Sequence, residues 1–253
     1  MAVDKPSVVV IAGAYHTPAP YKPFIDSLRR AGHDADAYAL ASFGDASKSV
    51  NDDEAHIRSL IVERLDKGQD VVLLAHSFAA FGASGAISGL DKKTRAEQGE
   101  KSALLGVILL SAFIPLEGES VFSILDAPHP SAVVKEDEGL VYMNDGESIF
   151  YNDCSDEAAQ AAKSQLSGQS LQSFSAPPSN IGWREPGFEG RRAYIRCLRD
   201  NTLPLALQDK YLAQTGAKWL IRSMETSHSP FLSKPDDLTK VLSDLVCEFA
   251  TAP

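Results

Sequence analysis

The sequence predicts an α/β protein: a mostly parallel sheet of about six strands flanked by helices, with a helical cap inserted after the strand that ends near residue 110. Three observations predict it. Short aliphatic runs alternate with longer amphipathic stretches at both ends of the chain, the rhythm of strand–helix–strand units. The aliphatic runs are apolar at nearly every position, as strands covered on both faces must be. The stretch 115–190 interrupts that rhythm and differs from its flanks in charge and composition.

SVVVI at 7–11 is the first strand, closed by Ala12 and Gly13. Residues 18–31 read as a helix with Phe24, Ile25 and Leu28 on one side and Gly32 as its stop. A second strand fits 34–40. A helix fits 52–67, where Ile57, Leu60, Ile61 and Leu65 recur at helical spacing before Gly68. VVLLA at 71–75 is the next buried strand and runs straight into a small-residue helix start at His76-Ser77-Phe78-Ala79. The charged stretch 91–101 is a solvated loop or helix extension, and LLGVILL at 104–110 is a further strand. Later, 193–198, 203–213, 219–222 and 236–249 read as strand, helix, strand, helix. The segment between is too long for a structureless loop in a compact domain. The expected organisation is a core of 1–114 and 191–253 carrying an acidic cap (lid) insertion at 115–190.

Charge sharpens that division. Lys plus Arg number 24 against 34 Asp plus Glu, a formal net charge of -10. Segment 115–190 has 13 acidic residues and only Lys135, Lys163 and Arg184 as basic ones, so it carries the whole imbalance. With no basic stripe, nucleic acid is not an expected partner. Cys154, Cys197 and Cys247 are widely spaced and form no CxxC, and the six histidines show no ligand spacing, so neither metal nor cofactor is expected. No apolar stretch is long enough to cross a membrane, and the opening residues lack a signal-peptide pattern. A cytoplasmic chain, monomer or homodimer, with no membrane partner is expected.

Ser77 is the strongest candidate for chemistry. A serine placed directly between a buried strand and a helix occupies the position of a nucleophile elbow, where a sharp turn lifts the hydroxyl above the sheet edge. The usual pattern is G-x-S-x-G; here it is Ala75-His76-Ser77-Phe78-Ala79. The plainer reading is an N-cap serine. His228 follows the last predicted strand, in a loop that an α/β sheet places at its ligand crevice, and could shuttle the serine's proton. Asp200 follows the strand before it and could orient the imidazole, although Asp ahead of a helix is also a common N-cap. The order Ser77, Asp200, His228 is the one this architecture uses. Backbone N–H groups of Phe78, after the nucleophile, and Ala14, in the loop after the first strand, are the expected oxyanion donors. His76 should point away from the site and be structural. Tyr15, His16, Phe122, Tyr142, Phe150 and Trp183 are candidate pocket residues.

On these residues the chain resembles the α/β-hydrolase superfamily, and within it the plant methylesterase and hydroxynitrile lyase group with its fungal and bacterial relatives. The matching stretches are VVVIAGAYHTPAPYKPF at 8–24, VVLLAHSFAAFG at 71–82, FYNDCS at 150–155, CLRDNTLP at 197–204 and SHSPFLSKPDDL at 227–238. The resemblance implies Ser77 as nucleophile, Asp200 as acid, His228 as base, and Ala14 and Phe78 as oxyanion donors. The chain departs from the group in having Ala12 before Gly13 and alanines for the elbow glycines. A lid lysine supports cyanohydrin cleavage in that group; the only lysine in the later lid here is Lys163, in a stretch that reads as a solvated helix. A serine hydrolase of a small apolar or aromatic ester or lactone is therefore the leading expectation. A non-hydrolytic lyase, cyclase or decarboxylase using His228 as base is the first alternative, and a non-catalytic small-molecule binder on the same fold is the second.

Overall fold

The computed structural model describes residues 5–125 and 129–251, so a short piece of the predicted cap, 126–128, lies outside the described residues. Nine strands follow one another along the described residues: β1 (Ser7–Ile11), β2 (Ala35–Tyr38), β3 (Val71–His76), β4 (Leu104–Leu110), β5 (Ala132–Lys135), β6 (Leu140–Met143), β7 (Gln169–Ser170), β8 (Arg192–Cys197) and β9 (Leu220–Met224). Six of them form one sheet in the order β2-β1-β3-β4-β8-β9, every pairing parallel.

The apolar runs sort by parity, as a two-sided strand requires. Val8 and Val10 of β1 pack into one layer with Val72 and Leu74 of β3, while Val9, Ile11, Leu73 and Ala75 enter the opposite layer. The first layer is closed by α1 (Lys22–Arg30) through Phe24, Ile25 and Leu28. The second is closed in part by α2 (Val50–Asp66) and α3 (Ala79–Ala86). The predicted helix at 18–31 splits in two: a short 3-10 turn at Ala19–Tyr21 precedes α1, because Pro20 and Pro23 fall where each can start a turn. The charged stretch at 91–101 contains one short helix, α4 (Lys92–Glu97), whose N-cap Asp91 accepts from the N–H groups of Lys93 and Thr94.

Between β4 and β8 the chain leaves the sheet and builds the inserted cap. Four short helices lie there: α5 (Val121–Ile124), α6 (Gly146–Phe150), α7 (Asp156–Lys163) and α8 (Leu171–Ser175). The cap also holds an antiparallel sheet, β5-β6-β7, which the sequence reading did not predict. Beyond β8 come α9 (Leu205–Gln214), α10 (Pro230–Ser233) and α11 (Pro235–Thr251). Leu238, Leu242, Leu245 and Phe249 of α11 complete the layer that holds α1. Among the described residues no helix is long and apolar enough to cross a membrane.

The strand order fixes where a site can sit. β1 has β2 on one side and β3 on the other, so the order reverses there, and the loops leaving the carboxyl ends of β1 and β3 open a crevice. Residues 12–16 and Ser77 occupy those two loops.

Candidate active site

Ser77 directly follows β3 with φ of 55°, a left-handed backbone that a residue bearing a side chain adopts only under constraint. The constraint is visible on both sides. Its N–H donates to Leu110 O of β4 at 3.1 Å, and its carbonyl accepts from Ala80 N–H at 3.3 Å as α3 begins. The elbow is therefore formed with Ala75 and Ala79, both fully buried, in place of the usual glycines. The Ser77 hydroxyl makes no hydrogen bond among the described residues and lies on a cavity wall.

Asp200 and His228 meet at the end of the sheet. His228 Nδ1 lies 2.6 Å from Asp200 Oδ2, and neither side chain is appreciably exposed. An imidazole nitrogen facing a carboxylate carries the proton, so Nε2 is left with its lone pair. Asp200 is held from every side. Oδ1 accepts from the N–H groups of Thr202 at 2.7 Å and Leu203 at 2.8 Å, and Oδ2 also accepts from the Ser111 hydroxyl. Asp200 thus joins β8 to the following turn while presenting one oxygen to the histidine. Ser111 was not anticipated from sequence. It sits just past β4 with φ of 36°, and its link to Asp200 spans 89 positions, which no local pattern reveals.

The loop after β1 is a tight turn, with His16 N–H donating to Gly13 O at 3.3 Å and Tyr15 at φ of 70°. Gly13 is obligatory here: a Cβ at this position would come within 2.8 Å of His76 Nδ1 and 3.1 Å of Ser77 Cβ, so only glycine lets the turn approach the elbow. The N–H groups of Ala14 and Phe78 have no acceptor among the described residues, and both residues line the cavity beside Ser77.

Two buried histidines tie these loops together. His76 Nε2 lies 3.0 Å from the His228 carbonyl and therefore donates to it. Its Nδ1 then accepts from the Tyr21 hydroxyl at 2.6 Å, and that oxygen accepts from Gly13 N–H at 3.0 Å. One chain of hydrogen bonds thus runs from the turn after β1 through Tyr21 and His76 to the backbone of His228. Burial, reinforced by repulsion from His228 and His16, holds His76 far below the ordinary imidazole range, so it stays neutral, as this polarity requires. His16 makes the second tie. Its Nδ1 donates to Ala14 O at 2.7 Å, and its Nε2 accepts from the Tyr151 hydroxyl of the cap at 2.8 Å. Burial pushes His16 down to about 4; repulsion from His228 adds to this, and the bond to Ala14 opposes it.

Above Ser77 the cap and core enclose a cavity of about 370 Å³. Its floor includes Ala14, Tyr15, Phe78 and Phe113, and the cap supplies Phe122, Phe150 and Phe174. The β5–β6 hairpin forms part of the roof through Ala132, Val134, Val141 and Met143, which share a face because Ala132 pairs with Met143 and Val134 with Val141. Ser77, Thr202, His129 and the Tyr15 hydroxyl are the polar side chains among its described lining residues, and among the described residues no Asp, Glu, Lys or Arg lines it. Of the expected pocket residues, Tyr15, Phe122 and Phe150 line the cavity; His16, Tyr142 and Trp183 do not. His16 is spent beneath the turn. Tyr142 pairs with Val133 on the outer face of the hairpin, where it donates to Glu138 at 2.7 Å. Trp183 is buried against Trp219, its Nε1 donating to Pro115 O at 3.2 Å. Lys163 also lies away from the cavity, 3.7 Å from Glu147.

The sequence profile of the alpha/beta hydrolase family matches residues 8–241. The chain is 26% identical over 250 residues to an alpha/beta hydrolase of Aspergillus novofumigatus, an alignment covering 96% of this chain and 98% of the relative. It is 24% identical over 262 residues to putative methylesterase 11, chloroplastic, of Arabidopsis thaliana, covering 94% of this chain and 63% of that one. In structure it is similar to a pyrethroid hydrolase from Sphingobium faniae, with a TM-score of 0.76 at 17% identity over 96% of this chain and 97% of the other. At that identity the structural likeness speaks to the fold.

Proposed function

The chain belongs to the alpha/beta hydrolase family, and from that premise we propose that it is a serine hydrolase cleaving a small, uncharged carboxylic ester or lactone through an acyl-enzyme. In this reading Ser77 Oγ attacks the carbonyl carbon while His228 Nε2 takes its proton. The N–H groups of Ala14 and Phe78 receive the negative charge that develops on the carbonyl oxygen. His228 returns the proton to the departing alcohol; it then removes one from water, whose oxygen ends in the acid product. Asp200 keeps the proton on Nδ1 throughout and stabilises the imidazolium. The Ser77–His228 hydrogen bond forms as substrate fills the cavity, as such bonds commonly tighten only in the complex.

The observation that carries this reading is the Asp200–His228 pair, sealed from solvent and supported by three further donors, in a fold that also holds Ser77 in a strained turn on the cavity wall. A carboxylate so fully bonded and so buried is costly to build for capping alone. The cavity supports an uncharged substrate, since nothing on its described wall would offset a buried charge. The position of Lys163 favours hydrolysis over a lyase reaction, because no lysine reaches the cavity among the described residues. Segment 115–190 serves as the lid, and 1–114 with 191–253 as the catalytic core. The test is hydrolysis of p-nitrophenyl hexanoate in water enriched in ¹⁸O: the reading expects label in the acid product and loss of turnover in Ser77→Ala. An unchanged rate in that variant would overturn it.

A further inference from the structure

The one large polar side chain in the floor of this apolar cavity is spent on nothing in the protein. Tyr15 is 6% exposed, and among the described residues its hydroxyl has no hydrogen-bond partner. Yet that oxygen is not one of the buried, unpaired side-chain atoms shut off from solvent, whose number includes Gln169 Oε1 and Ser229 Oγ. The residue itself lines the cavity. The ring is fixed there by Phe150 at 6.2 Å and, edge-on, by Phe174 at 6.0 Å, both also on the wall.

The backbone is arranged at a cost to put it there. Tyr15 has φ of 70°, which a large side chain accepts only when the surroundings impose it. The turn bond from His16 N–H to Gly13 O imposes it from within, and Ser167 N–H of the cap, donating to Tyr15 O at 3.1 Å, imposes it from above. A glycine or asparagine would relieve the strain, and a phenylalanine would fill the wall without an idle hydroxyl. An unpaired polar group on a dry wall is unfavourable until something pairs with it.

We propose that the Tyr15 hydroxyl is a substrate-recognition donor, and that the substrate carries a second neutral oxygen (a ketone, ether or hydroxyl) apart from the ester group that reacts at Ser77. This rests on the hydrolase reading and narrows its substrate class. Burial holds the phenol far above its ordinary range, so it is a neutral donor at every working pH and suits a neutral acceptor. A carboxylate in that place would find no cation on the described wall. Tyr15 follows Ala14 directly, so the oxyanion donor and the recognition donor are set by a single turn. The second oxygen is thereby held in register with the scissile carbonyl.

The test compares p-nitrophenyl hexanoate with its 4-oxo and 5-oxo analogues in the wild type and Tyr15→Phe. The wild type is expected to favour at least one oxo ester in kcat/KM. Tyr15→Phe should reduce that preference, read as the ratio of oxo-ester to parent-ester kcat/KM, roughly 3- to 10-fold, the worth of one neutral hydrogen bond. The parent ester also reports whether the variant has folded. Equal ratios in the two proteins, or no oxo preference in the wild type, overturn the proposal while leaving the hydrolase reading intact. Parent-ester hydrolysis that persists in Ser77→Ala overturns that reading instead.

Discussion

At the scale of single residues, Asp200 bears the most weight. Four donors converge on its carboxylate, and only one of them, His228, belongs to the proposed chemistry. Asp200→Asn keeps the size and the turn but places an N–H₂ where an acceptor is needed, which favours the wrong imidazole tautomer. The expected result is a fall in kcat on the order of 10⁴-fold with little change in KM, by analogy with the equivalent substitution in a serine protease triad. Steady-state kinetics with thermal unfolding measured in parallel checks it. A loss confined to stability would assign Asp200 to capping. The placement of Ser77, Asp200 and His228 in the loops after β3, β8 and β9 was legible because strand–loop order is a local signal. Ser111 and Tyr21 were not, since their bonds to Asp200 and His76 span 89 and 55 positions. A serine after a strand or a tyrosine before a helix has many ordinary reasons to be there.

At the scale of elements, SVVVI, VVLLA and LLGVILL read as buried parallel strands because each is a short run, apolar at nearly every position, within an alternation with longer helical stretches. The cap hairpin did not. β5 and β6 have four residues each, too few for a period to emerge, and β7 has two. Their register decides which side chains line the cavity, which is why Tyr142 falls outside it. Val134 and Val133 are adjacent on β5 and point to opposite faces. Val134→Lys puts a charge against the apolar cavity and is expected to raise KM for a neutral ester on the order of ten-fold, whereas Val133→Lys should leave KM nearly unchanged. Equal effects would contradict the hairpin register. Gln169 of β7 anchors this roof to the core, its amide donating to Ser42 Oγ, which in turn donates to the buried carboxylate of Asp53 at 2.6 Å.

At the scale of the whole molecule, the buried titratable groups set how the fold responds to acid. His16 titrates at about 4 in the folded chain and near 6.5 when unfolded, so as pH falls the unfolded state takes up the proton first. Stability is therefore lost between those values, by about 3 kcal/mol from His16 alone. His76 acts in the same direction. Asp53 opposes them: burial pushes it up to about 6, so its protonation favours the folded state over part of the same range. With two imidazoles against one carboxylate, urea unfolding near pH 7 and near pH 4.5 should show a net loss at the lower pH, and His16→Gln should shrink it. A loss that is the same in the variant would remove His16 from the account. The charge imbalance has a matching logic at this scale. Among the described residues no acidic side chain of segment 115–190 lines the apolar cavity, so the excess charge found there does not extend onto the described cavity wall.

The proposed reaction requires Ser77 to form a covalent intermediate on this framework. Rapid mixing with p-nitrophenyl hexanoate tests it most directly, read both as nitrophenolate release and as intact protein mass. A burst approaching one equivalent per chain is expected, with a transient mass increase of one hexanoyl group on the peptide containing Ser77, and neither in Ser77→Ala. Linear release without a burst, paired with a hexanoyl group on another residue or an undiminished rate in Ser77→Ala, would contradict it.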